Sequence, residues 1–301
     1  MIKIVFLLFT LTFTFSALAD SISLFFIKSP YGINWSTPWS MTTTTIKNQL
    51  APSQGRSTNH TISHTYAEIN CSSTGIKLYR GMTSDGNDEE RTLLFKKKYG
   101  LGVMFHTYRG KLEKEDTLLN DINDYYGNSR LSKLVLKISR EACQRMVEYV
   151  NEYEAKGYAK MYSGLQADPL RGEGSGCSAF VVSFMRVAGL MESFTEQWKQ
   201  TIDVPLNLVG GPMTGNKVSI FKVLMKVNAK WSNRTPFFHL VAWDPELMHS
   251  WLLRTYESVK SGEYTDFDPE IDRYQKTKIL KLDLSDRSTP QGPVWTTPQQ
   301  L

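Results

Sequence analysis

The chain has 301 residues, of which 41% are hydrophobic, and its 35 Lys and Arg against 30 Asp and Glu give a net charge of +5. So modest a basic excess, with no basic stripe interleaved with aromatics, argues against a nucleic-acid binder and suits an anionic envelope. The cysteine count is three, an odd number, which leaves at least one thiol unpaired in an exported chain.

The chain opens on a leader. Lys3, an apolar run over 4–15 and the sequence Ala17-Leu18-Ala19 make a Sec-type signal peptide over residues 1–19, with cleavage expected before Asp20. The protein is therefore expected to be exported, periplasmic or secreted. No later run reaches the roughly 18 apolar residues of a membrane span. Residues 20–301 show no interior linker and no repeat, so a single domain is expected, with an N-terminal extension and a proline-rich tail from Ser288.

Strand signals come first, at 23–28, 61–69, 75–80, 101–108 and 131–138, where β-branched and aromatic residues alternate with polar ones. Between the first two lies an aromatic stretch with Trp35 and Trp39, read as an extended loop. The charged segment 85–128 is expected to form an inserted hairpin over the site, and Lys96-Lys97-Lys98 within it reads as a solvated strand edge. Ser139 offers an N-cap to a helix that runs through Tyr153 and stops at Gly157. A second helix follows Cys177; it is apolar on nearly every side, which requires burial, and Gly189 ends it. Strands are expected again at 217–227 and 278–283, and a helix over 245–259 capped by Asp244. Strands on both sides of a buried helix indicate an α+β domain.

The chemistry concentrates at "RGEGSGCSAF", residues 171–180. Three alternating glycines let the backbone turn sharply, and Cys177 then stands at a helix N-terminus, where free N–H groups and the helix dipole favour a thiolate. A base is needed beside it. His64 begins "HTYAEI", where strand alternation puts His64, Tyr66 and Glu68 on one face; His239 in "FFHLVAW" is the rival. His106 and His249 read as structural. His60 lies four residues before His64, about 13 Å away on a regular strand, too far to share a metal, so no metal and no cofactor is expected. Cys177 is the free thiol if Cys71 pairs with Cys143, one of three possible pairings.

"ISHTYAEINC", followed about a hundred residues later by "GSGCSAFVVSFMRVAG", resembles the circularly permuted papain-like superfamily, which includes lecithin:retinol acyltransferase-like proteins and relatives of bacterial cell-wall cysteine peptidases. The resemblance covers 57–190. It implies an antiparallel sheet packed on a central buried helix that carries the cysteine, with Cys177 as nucleophile, His64 as base and the Cys177 N–H in an oxyanion site. The family's imidazole-orienting residue has no clear counterpart, and Glu68 is a candidate for it. The implied activity is an exported thiol hydrolase or acyltransferase that attacks an amide or ester of a peptide, peptidoglycan or lipid acyl substrate through an acyl-enzyme. The other reading is a noncatalytic envelope binding module on the same fold. The two differ in whether Cys177 is reachable.

Overall fold

The computed structural model describes residues 19–53, 55–56, 58, 60–232, 236–271 and 276–296; residues 1–18 of the expected leader lie outside these. The elements run β1 (Ser21–Ile27), α1 (Pro38–Gln49), β2 (His64–Cys71), β3 (Ile76–Ser84), α2 (Asn87–Arg91), β4 (Tyr108–Leu112), α3 (Glu115–Tyr125) and β5 (Leu131–Lys137). They continue with α4 (Arg140–Ala155), β6 (Met161–Tyr162), α5 (Cys177–Ala188), β7 (Lys199–Pro205), α6 (Ile220–Met225), β8 (Phe237–Trp243), α7 (Pro245–Lys260), β9 (Asp268–Ile271) and β10 (Lys278–Asp283).

Eight strands form one sheet in the order β6-β4-β3-β2-β1-β5-β10-β9, and β7 and β8 form a separate antiparallel pair. In the large sheet β1 is the central strand, pairing with β2 on one side and β5 on the other. Its sequence explains the position: six of its seven residues are buried, and both of its faces carry large side chains. Ile22, Leu24 and Phe26 point to a core shared with α4, α5 and α7, while Phe25 and Ile27 face Leu118 and Tyr125 of α3 on the other side.

Helix α5 is buried at every position except Arg186. Full burial of residues such as Val181, Val182 and Phe184 contributes about 1.5–3 kcal/mol each relative to exposure. Its end at Gly189, with φ +73°, is the left-handed C-terminal stop that glycine makes cheapest. Ser139 caps α4 as expected, accepting a hydrogen bond from the Ala142 N–H at 3.1 Å. A disulfide joins Cys71, the last residue of β2, to Cys143 on α4, with their α-carbons 5.7 Å apart. It ties the sheet to its helical layer.

Several expectations are corrected. The overall class is α+β, but the sheet is mixed rather than antiparallel, because β10 runs parallel to β5. The helical layer is also not one central helix: α4, α5 and α7 all pack on the sheet, and two of the three cysteines sit in a disulfide between a strand and α4. Residues 101–105 form a 3-10 turn ahead of β4, not a strand, and the 217–227 stretch contains α6. The aromatic loop encloses a helix, since Thr37 caps α1 from within it and Pro38 takes the first helical position, which needs no N–H donor.

Candidate functional site

At one end of the large sheet, four elements bring four polar side chains together. His64 is the first residue of β2, Glu113 follows β4 directly, Tyr162 ends β6, and Cys177 begins α5. Glu113 Oε2 accepts a hydrogen bond from His64 Nε2 at 2.8 Å, and both side chains are 7% exposed. His64 in turn is hydrogen-bonded to the Cys177 thiol. With Nε2 held by the carboxylate, the ring nitrogen left for the sulfur is Nδ1. The Thr65 N–H also donates to Sγ.

This row fixes the charges. Burial by itself would lower the His64 pKa, but the Glu113 carboxylate and the Cys177 sulfur outweigh it and hold the imidazolium well above its ordinary range. Burial would raise Cys177 and Glu113, yet the His64 charge and hydrogen bonds bring both below their usual values. The chemical content is a cysteine, an imidazole and a carboxylate in one row, each with its charged form favoured by its neighbours.

Glycine makes the brace possible. Gly81 on β3 lies opposite Tyr66 of β2, and a β-carbon there would come 2.2 Å from Glu113 Oε2. The carboxylate occupies the space that any other residue would fill.

The expected residues therefore separate. His64 and Cys177 meet. Glu68 does not reach His64; it pairs with Lys77 at 3.0 Å and Lys133 at 3.8 Å, further along the strand. His239 is on the separate β7–β8 ribbon, 59% exposed and 2.7 Å from Asp203. Glu113 was missed because it lies in the inserted 85–128 segment, 49 residues from its partner in sequence, with no local pattern to mark it. His60 was also misjudged. Positive φ at His60 (42°) and Ser63 (62°) turns the chain, so the His60 ring stacks on His64 at 4.6 Å and 4° instead of lying a strand's length away. His60 Nε2 is held by Asp121 at 2.9 Å. Among the described residues, no group of three or more His, Cys, Asp or Glu could hold a metal ion.

The thiol is free but closed. Cys177 is 8% exposed and His64 5%. The Tyr162 hydroxyl sits beside the Cys177 thiol and its backbone N–H, and burial there raises the phenol well above its ordinary range. Cavities of about 580 and 490 Å³ are lined by other residues, the first around Trp231 and the second around Phe267. Comparison with protein-family models, curated proteins and solved structures finds no match.

These findings correct three expectations. The membership implied by the resemblance to permuted papain-like proteins has no match behind it, and the mixed sheet departs from the antiparallel arrangement it implied. The reading as an open thiol hydrolase or acyltransferase is not met: two thiols are tied in a disulfide, and the third is buried. The acyl-enzyme route falls with it.

Proposed function

We propose that this chain is a noncatalytic binding module of the cell envelope. The observation that supports the reading best is the closure of Cys177, with His64, the Thr65 N–H and the Tyr162 hydroxyl around its sulfur. A nucleophile must be reachable, whereas a binding module can keep its thiol inside as part of a buried hydrogen-bonded network that fixes one arrangement of four elements. Cys177 and His64 are the centre of that network, with Glu113 as the carboxylate partner. A role outside the cytoplasm agrees with the expected leader and with the Cys71–Cys143 disulfide, a bond that oxidising compartments preserve. Among the described residues, no helix is long and apolar enough to cross a membrane.

The test uses the full exported chain with peptide, peptidoglycan and acyl-lipid candidates and with ester and amide reporters. Binding without consumption is expected, and Cys177→Ala should bind as the parent does. Consumption of any reporter that Cys177→Ala abolishes would overturn the proposal.

A further inference from the structure

The second hydrophobic cluster belongs to a lobe built from β7, α6 and β8 with α1 packed against it, which is attached to the large sheet's end through the 99–105 turn. Its composition is unlike the rest. Residues 204–243 contain five Lys and Arg and no Asp or Glu, although the chain has 30 acidic residues. Helix α6 buries Ile220 and Val223 against the lobe and turns its other positions outward.

Those outward positions are both apolar and cationic. Phe221 and Met225, one turn apart, are 62% and 82% exposed, and Val227 beyond them is 54% exposed. Lys222, Lys226 and Lys230 are exposed at the same four-residue spacing. Among the described residues none of these three lysines pairs with a carboxylate. The nearest carboxylate on the ribbon, Asp203, is already occupied by His239. The cavity of about 580 Å³ opens here, between Pro205, Leu208, Met225, Val227 and Trp231. The Lys96-Lys97-Lys98 run joins the lobe through its backbone, the Val218 N–H donating to the Lys98 carbonyl at 2.6 Å.

We infer that this face docks on an anionic phospholipid surface, with Phe221, Met225 and Val227 entering the headgroup boundary and the lysines resting on the phosphates. The inference rests on the binding-module reading and names its partner. Large apolar side chains flanked by cations are what an interfacial element needs, since neither burial nor charge alone holds a protein stably on a membrane. Between Asp203 and Asp244 the sequence carries no carboxylate, so the lysines of this stretch have no counter-charge within it.

The experiment is sedimentation of the full chain with vesicles of phosphatidylcholine alone and of phosphatidylcholine containing phosphatidylglycerol. Binding is expected only to the second, weakening as salt rises. Lys222→Gln with Lys226→Gln should reduce partitioning roughly 30-fold, on the basis of two surface lysines. Phe221→Ser with Met225→Ser should reduce it at least tenfold. All four positions are exposed, so the variants should unfold at the parent's temperature. Failure to bind phosphatidylglycerol vesicles would overturn the inference. So would vesicle binding that survives the Phe221/Met225 change, which would mean that the face reads soluble polyanions by charge alone. A concentration-dependent dimer lost in Met225→Ser would instead assign the face to a second copy of the chain. Each of these results leaves the reporter test of the binding-module reading standing, and reporter turnover would leave the vesicle result standing.

Discussion

The two ends of the molecule treat charge in opposite ways. Around Cys177 the buried ionisable groups are matched in sequence: Cys177 with His64, His64 with Glu113, and His60 with Asp121. On the β7–α6–β8 lobe, Lys222, Lys226 and Lys230 face outward beside exposed Phe221 and Met225. In the first arrangement the cost of desolvating His64 and Glu113 is offset by each other. The second is complete only when something of opposite charge and apolar depth covers it. Burial of charge therefore marks structure here, and exposure of charge with apolar groups marks recognition.

Substitutions can break this contrast, and the largest effect should come from the buried row. Glu113→Gln leaves a buried imidazolium without its counter-charge and should cost about 3 kcal/mol of stability in denaturant titration at neutral pH. Its pH dependence has a definite sign. The Glu113 contribution, from a lowered pKa, is full above about 4.5 and fades as pH falls through the lowered value; that of His64, from a raised pKa, is full below about 6.5 and fades as pH rises through the raised value. The gap between parent and variant should thus narrow at both extremes. A gap that is constant across pH would mean that the row carries no charge.

Reduction of the Cys71–Cys143 disulfide comes next. It should lower stability by roughly 2–4 kcal/mol, read as a shift of the unfolding midpoint, without altering the lysine face. Gly81→Ala is milder for the fold, since the displaced atoms are the flexible end of Glu113. It should nevertheless move the carboxylate off His64 and raise the Cys177 pKa toward that of an ordinary thiol, as followed by thiolate absorbance. Smallest of all, Phe221→Ser and Lys226→Gln should change stability by no more than about 0.5 kcal/mol, because exposed positions seldom contribute more. A larger loss would show that the face is part of the core.

Much of the fold was legible where local chemistry decides it. Ser139, Gly157 and Gly189 mark helix ends by capping and left-handed backbone, and the apolar run after Cys177 could be nothing but buried. The meeting of His64 and Cys177 was legible as a strand histidine and a helix-start cysteine. The carboxylate was not: Glu113 is set by the pairing of β3 with β4 and by the vacancy at Gly81, both long-range facts. Glu68 looked plausible only because strand alternation reports a face and not a distance. Residues 217–227 misled for a related reason. Their alternating β-branched residues suit a strand, but pairing is limited to a single bridge from Val218 to Tyr99, and Ser219 then caps a short helix that buries Ile220 and Val223. The closure by Tyr162 was likewise hidden, because it depends on β6, a strand of two residues at the sheet's edge.

The central claim is that the Cys177 thiol is kept inside, and native-state alkylation tests it most directly. With iodoacetamide at neutral pH and mass spectrometric detection, Cys177 should react far more slowly in the folded protein than in the denatured chain, and Tyr162→Ala should speed the native reaction. A native Cys177 that alkylates as fast as, or faster than, the denatured thiol would contradict the account and show an open nucleophile.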